Sequence, residues 1–266
     1  MEKTIFITGA SSGLGKATAK LFQSKGWNVI ATMRNPENET ELTQLDNISL
    51  LPLDVTNLEQ IKSSVMEAIS LHDIDVVFNN AGYGLIGAME GLTDKKIARQ
   101  INTNLLGVLR VTQAFIPYFR EKKSGLFIST TSIGGFMGFP LHSIYHATKF
   151  ALEGWSESMS FELSKFGIGI KTIAPGGIST DFAGRSLDFN KQAEYSDIEN
   201  KLLEVVDVMM KNASTAEQIA EVVYEAATDN KDQVRYLAGV DAHMMHERRL
   251  EIGKESFRKE IGQQFL

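Results

Sequence analysis

A chain of 266 residues, 43% apolar and 23% charged, suits one α/β domain with a sizeable core, and nothing in it requires a second domain. The net charge of −6 gives no reason to expect nucleic acid or an acidic membrane surface as partner, and the absence of cysteine excludes disulfides, thiolate metal sites and a cysteine nucleophile. No run approaches the ~18 apolar residues of a membrane span, and Met1-Glu2-Lys3-Thr4 leads into a strand without a signal-peptide core. A cytoplasmic protein that needs no metal is the expectation.

Short β-rich runs alternate with longer helical ones, the pattern of a parallel sheet covered on both faces. Strands are predicted at Thr4–Thr8, Trp27–Met33, Ile48–Leu53, Ile74–Phe78, Leu126–Thr130, Gly169–Ile173 and Val234–Ala238. Helices are predicted at Leu14–Ser24, from a Thr56-Asn57-Leu58-Glu59 capping box to about Leu71, and from Asp94 past Gly107 to Arg120. Further helices cover Ile144–Phe166, about 215–229 and the charged tail; the segment 181–212 reads as irregular or helical. The predicted fold is a doubly wound sheet of about seven strands, with right-handed connections.

Thr8-Gly9-Ala10-Ser11-Ser12-Gly13-Leu14-Gly15 lies between the first strand and first helix. Glycines there let the backbone turn tightly and approach a pyrophosphate, whose charge a helix N-terminus favours. Two nearby patterns compete. Gly82-Tyr83-Gly84-Leu85-Ile86-Gly87 fits the general dinucleotide fingerprint literally, but no helix opens after it, so it reads as a chance match in a loop. Ala10 through Ala17 resembles a phosphate-binding loop of NTPases, but Ala10 replaces its first glycine and Ala17 its metal-binding hydroxyl.

The second strand ends Ile30-Ala31-Thr32-Met33-Arg34, with no carboxylate to accept from a free ribose 2′-hydroxyl. Arg34 offers a charged fork for a 2′-phosphate, so NADP(H) is preferred and NAD(H) is the alternative. Asp54, with Val55 beside it, ends the third strand; Thr56 suits helix capping better, which frees Asp54 to accept from an adenine amino group.

Tyr145-His146-Ala147-Thr148-Lys149 sits early in a helix, where residues four apart share a face. Reducing a carbonyl needs a proton on oxygen, and a phenol of pKa ≈ 10 is a poor proton shuttle at neutral pH. A cation ~4 Å away, at an effective dielectric near 20, supplies ~4 kcal/mol, enough to lower it about three units. Tyr118 and Lys122 share that spacing but end an amphipathic helix and read as surface. Ser132 follows the fifth strand, where ligands gather in such sheets, and can hold the substrate oxygen. Thr130 shares its strand face and is the rival hydroxyl; Ser132 lies further past the strand end and is favoured.

With these motifs together, the sequence resembles the short-chain dehydrogenase/reductase family over nearly its whole length, and within it the hydroxysteroid and retinol dehydrogenases. Asn79-Asn80-Ala81-Gly82 is similar to a family motif after the fourth strand, and Pro175-Gly176-Gly177-Ile178-Ser179-Thr180 to the stretch that holds the nicotinamide end. The resemblance implies a Rossmann-like fold and an NADP(H)-dependent oxidoreductase acting on a carbonyl/alcohol pair. It implies Tyr145 as general acid/base and Ser132 as the orienting residue. Lys149 would bind the nicotinamide ribose, and Asn104 would position a water in a proton relay. The cofactor would touch Gly9, Ser11, Ser12, Gly13, Leu14, Gly15, Arg34, Asp54, Val55, Asn80, Ala81, Gly82, Tyr145, Lys149, Pro175, Gly176, Ile178 and Thr180. Self-association into dimers or tetramers, through helices near 107–120 and 144–166, is also implied.

Phe136, Met137, Phe139, Leu187, Phe189, Met209, Met210 and Phe182 are candidates to line an apolar substrate pocket. Two other readings compete: a catalytically silent NADP-binding sensor, and an epimerase or dehydratase that retains its nicotinamide. The intact Ser132/Tyr145/Lys149 set disfavours the first, and the short C-terminal part the second.

Overall fold

Thr4–Thr8 forms β1, and all five of its residues are buried, as in a strand covered on both faces. Alternation divides them. Ile5 and Ile7 pack with Phe22, Trp27, Phe78 and Val223 on one side, and Phe6 with Ile30, Val77, Phe115 and Phe127 on the other. Each buried phenylalanine contributes about 1.5–3 kcal/mol relative to exposure.

The structure is a computed structural model that describes residues 2–179, 187–211 and 213–265. Its main sheet comprises β1, β2 (Asn28–Met33), β3 (Ile48–Pro52), β4 (Val76–Asn79), β6 (Gly125–Thr130), β7 (Ile168–Pro175) and β11 (Arg235–Ala238). The strands are all parallel, in the order β3-β2-β1-β4-β6-β7-β11. The chain leaves β1 toward one edge and returns to β4 on its other side. That reversal opens a crevice at the carboxyl ends of β1 and β4, the usual place for a ligand in an open α/β sheet.

Helices α1 (Gly13–Ser24) and α7 (Ala216–Thr228) cover one face. The opposite face carries α2 (Leu58–Leu71), α4 (Gly107–Lys122) and α5 (Ser143–Ser164). Between α3 (Asp94–Ile101) and α4, residues Asn102–Leu106 form a π-helical turn, so the helix expected to run on from Asp94 is interrupted. Gly107 sits there because Val55 presses on it; a Cβ would lie 2.8 Å from Val55 Cγ2.

Two expectations are corrected here. Asn57, not Thr56, caps α2, its Oδ1 accepting from the Glu59 and Gln60 amides. The stretch Gly84–Gly87 is not a loop but strand β5, paired in parallel with β9 (Leu187–Asn190). Gly87 has φ +152°, and a Cβ would meet the Asn190 carbonyl oxygen at 2.5 Å, so its glycine serves close strand approach.

Within 181–212, the described residues comprise β9 and helix α6 (Ser196–Lys211); Phe182 and Thr180 lie outside them. The short pair β8 (Ile178–Ser179) and β10 (Ser214–Thr215) adjoins this region. The charged tail forms α8 (Val240–Ile252) and α9 (Lys254–Phe265), whose Phe257, Ile261 and Phe265 are buried. These pack with Met137, Ile133 and Leu202, and against Phe139, Leu187 and Phe189. Several side chains expected to line a pocket are therefore a third apolar cluster that secures the tail. Among the described residues no helix is long and apolar enough to cross a membrane.

Candidate active site

The turn after β1 is built by its glycines. Gly9 has φ +69°, and a Cβ there would lie 2.8 Å from the Ala81 Cα. At Gly15 a Cβ would come within 2.3 Å of the Gly9 carbonyl oxygen. Both cradles exist only without side chains. Ser12 stands at the N-cap of α1 without a side-chain cap hydrogen bond, and the first turn holds no acidic residue. Ser11 is exposed, Gly13 half-buried and Leu14 buried beneath them. Such a helix start offers its amides and positive dipole end to an anion, and its shape fits a pyrophosphate.

Asn80 fixes this turn to the neighbouring strands. Its Nδ2 donates to the Thr8 and Gly9 carbonyls at 3.2 Å each, and its Oδ1 accepts from the Thr130 hydroxyl at 3.2 Å. The Asn80 and Ala81 amides donate to Thr8 Oγ1. Asn80 therefore acts on the phosphate turn through its backbone.

One oxygen of the Asp54 carboxylate is held locally. Its Oδ1 accepts from the Thr56 amide at 2.8 Å and from the Thr56 hydroxyl at 2.7 Å, a local turn made because capping falls to Asn57. Val55 is buried against Gly107. Arg34 is exposed at the end of β2. Of the carboxylates that follow it, Glu39 and Glu41 are paired with Lys16 and Lys20 of α1, while Glu37 is exposed.

At the end of β6 three side chains come together. Lys149, 6% exposed, donates from Nζ to the Thr130 carbonyl at 2.7 Å, with its ammonium 5.6 Å from the Tyr145 ring centroid. Ser132 caps a short 3-10 turn, Ile133–Gly135, and its Oγ accepts from the Gly134 amide at 3.0 Å. That bond leaves the hydroxyl proton free to donate. Thr130, the rival, spends its hydroxyl on Asn80.

Burial raises the Tyr145 phenol above its ordinary range, and Ser132, within reach of its oxygen, pulls the other way. The Lys149 ammonium, beside the ring, is placed to favour the phenolate against that burial. Burial also brings Lys149 down to about 8, partly opposed by the charge of Glu153.

His142 and His146 flank the phenol, with ring centroids 6.4 and 5.9 Å from that of Tyr145. Burial and the neighbouring His142 bring His146 down to about 3, so it is neutral. His142 Nδ1 lies 2.6 Å from the Pro140 carbonyl oxygen, which can only accept, so that nitrogen carries the proton.

Asn104 lies in the π-helical turn, 1% exposed, and its side chain clamps Tyr83: Nδ2 donates to the Tyr83 carbonyl at 2.8 Å and Oδ1 accepts its amide at 3.0 Å. Gln100 donates to the same carbonyl. The clamp holds the Asn-Asn-Ala-Gly loop; a Cβ on Gly82 would lie 3.3 Å from Asn104 Oδ1.

Sequence reasoning missed Asp241. Its Oδ2 accepts from the Gly177 amide at 2.7 Å, and a Cβ on Gly176 would fall 2.1 Å from that oxygen. The Gly176 amide donates to the Ala238 carbonyl, and the Ser214 amide to the Gly177 carbonyl. The turn after Pro175 is thus shaped by a residue 64 positions on, which no local pattern announces. Tyr118 and Lys122 do serve structure, bonding Asp73 and the Ile74 backbone at the far end of the sheet.

The sequence model of the short chain dehydrogenase family matches residues 3–193. An uncharacterised oxidoreductase of Schizosaccharomyces pombe is 41% identical over 208 residues, covering 78% of this chain and 88% of the relative. A 3-ketodihydrosphingosine reductase of Bacteroides thetaiotaomicron is 36% identical over 212 residues, 78% of this chain and 77% of the relative. Among solved structures, "ElxO with NADP Bound" superposes with a TM-score of 0.75 at 27% identity, covering 90% of this chain and 97% of that one. The chain belongs to the short-chain dehydrogenase family, and it is an oxidoreductase on a Rossmann-like fold.

Proposed function

We propose that this protein transfers a hydride between NADP(H) and a lipophilic ketone/alcohol pair, with Tyr145 as general acid/base. The observation that carries the reading is the convergence of Ser132, Tyr145 and Lys149 at the carboxyl end of β6, beside the glycine turn. When bound, a reduced nicotinamide supplies the hydride. The residues that would hold it are Gly9 through Gly15, Arg34, the Asn80–Gly82 loop and the Pro175–Ile178 turn, with Thr180 beyond it.

Ser132 donates its free proton to the substrate oxygen, while the Gly134 amide fixes the acceptor side of the same hydroxyl. Tyr145 delivers a proton to that oxygen as negative charge develops on it. Lys149 supplies a fixed cation beside the phenol and stabilises the phenolate once the proton has left. In oxidation the same atoms run in reverse, with Tyr145 accepting the alcohol proton. The side chain of Asn104 is engaged with Tyr83, so its part in a proton relay falls to the backbone of its π-helical turn.

Preference for the 2′-phosphate is supported by exposed Arg34 and by the lack of a carboxylate in β2 itself. The NADP-bound structural relative agrees with this. A lipophilic substrate is supported by the 36% identical 3-ketodihydrosphingosine reductase. Phe150 and Phe161 of α5 are 45% and 75% exposed, which supports self-association through that helix.

NADPH depletion with long-chain ketones, aromatic ketones and sugar ketones tests the reading. Turnover of the lipophilic ketones is expected. Turnover of sugars alone contradicts the substrate class.

A further inference from the structure

Tyr145, Lys149 and Glu153 follow one another at intervals of four along α5, so they descend one face of the helix. Glu153 is only 3% exposed, an unusual place for a carboxylate. Its Oε2 accepts from Arg235 Nε at 2.8 Å and from the Thr172 hydroxyl at 3.3 Å. Its Oε1 is buried with no hydrogen-bond partner among the described residues. Arg235 also donates to Glu157 and lies 5.0 Å from the Phe136 ring centroid, just past the turn that Ser132 caps. On the other side Gly135 approaches so closely that a Cβ there would lie 2.9 Å from Glu153 Cγ and 3.1 Å from the Lys149 carbonyl oxygen.

We propose that Glu153, clamped by Arg235, is a positioning residue that keeps the buried Lys149 ammonium charged and ties the Ser132 turn to helix α5. The inference rests on the assignment of Lys149 to the active site. Glu153 is buried while the side chain of its partner Arg235 is 40% exposed, so the carboxylate bears most of the desolvation, a costly way to hold a helix. One unpaired buried carboxylate oxygen compounds that cost. Both features make sense if the carboxylate serves a second cation, and the cation one turn away is Lys149, whose Nζ has, among the described residues, one hydrogen-bond partner, the Thr130 carbonyl. The opposing influence of Glu153 on the burial-lowered Lys149 is consistent with this. The groups facing the pair from packed elements are Arg235 of β11, uncharged Thr172 of β7, Ser132 and Phe136 of the loop after β6, and Tyr145, neutral His146 and Glu157 of α5 itself.

The test is the titration of Lys149 in the full chain, read by NMR on protein carrying carbon-13 at the lysine Cε, with the Lys149 signal assigned by its loss in Lys149→Met. Glu153→Gln keeps the shape and removes the charge, so Lys149 should titrate about one unit lower than in the parent. Glu157→Gln, which alters the exposed partner of the same arginine, should leave it unmoved. If Glu153→Gln does not fold, the double change Glu153→Gln/Arg235→Gln removes both charges of the pair, which is tolerated better than orphaning one, and should shift Lys149 in the same direction by less. An unmoved Lys149 titration in the folded variant overturns the proposal. Because this readout needs no turnover, it is separate from the catalytic assignment: that fails if Tyr145→Phe stays active, whatever Lys149 does.

Discussion

The Nζ of Lys149 and the carbonyl oxygen of Thr130 lie 2.7 Å apart, so the cation of helix α5 is fastened to the last residue of strand β6. The same threonine gives its hydroxyl to Asn80, which in turn holds the turn after β1. One residue thus links the two halves of the proposed site, and it does so without contributing a free hydroxyl.

That division of labour separates two neighbouring hydroxyls. Ser132→Ala should lower kcat/KM for ketone reduction by about 10²-fold or more while leaving the melting temperature within a few degrees. Thr130→Val should instead cost about 1 kcal/mol of stability through the lost bond to Asn80 and change kcat/KM far less. Steady-state kinetics and thermal melts on the two variants check this. The opposite ranking would exchange their roles.

Arg34 should discriminate between cofactors. Removing one charge-assisted contact to a phosphate costs about 1.5–3 kcal/mol, so Arg34→Ala should weaken NADPH about 10- to 100-fold and NADH scarcely at all. Binding titrations with both cofactors measure it. Equal losses would show that Arg34 does not read the 2′ position.

The phosphate turn should tolerate no side chain at Gly9. Its φ of +69° and the 2.8 Å approach to Ala81 act together against a methyl group. Gly9→Ala should cost about 1–3 kcal/mol and weaken either cofactor alike. Melting temperature and cofactor titration together test this; a fully stable variant with unchanged cofactor affinity would refute the close fit.

At the far edge of the sheet, Lys171, Asp229 and Tyr236 form a buried network, with Lys171 Nζ 2.6 Å from Asp229 Oδ1 and the Tyr236 hydroxyl 2.6 Å from Oδ2. Burial pushes the Asp229 carboxyl up, but hydrogen bonds from Lys171, Tyr236 and the Lys231 amide outweigh it, bringing it to about 2. A carboxyl lowered by folding stabilises the native state above its unfolded pKa of ≈ 3.9, and that contribution fades as pH falls toward about 2. Asp229→Asn should cost about 3–5 kcal/mol at neutral pH, because it orphans a buried ammonium, and should flatten the loss of stability between about pH 4 and 2. Denaturant melts across that range decide it.

The seven main strands were legible because each is a short apolar run between turn signals, and β1 is buried at every position. The site was legible where spacing along one element carries it, as at Tyr145 and Lys149, or where glycine marks a tight turn, as at Gly9 and Gly15. What stayed hidden depends on partners distant in sequence. β5 pairs with β9, about 100 residues later, and a four-residue strand has too little pattern to announce itself. Asp241 shapes the turn at Gly176 from beyond the last strand, and the Asn104 side chain turned out to be engaged with Tyr83. The cap was misread for a local reason: two adjacent residues could cap α2, and Asn57 does so while Thr56 bonds the Asp54 carboxylate.

The most direct measurement is ketone reduction by Tyr145→Phe with NADPH binding determined in parallel. The phenylalanine ring fills the same space, so cofactor affinity should stay within about threefold, while kcat should drop by about 10²- to 10⁴-fold as the proton donor is lost. A variant that binds NADPH normally and still reduces ketones at nearly the parent rate would contradict the account.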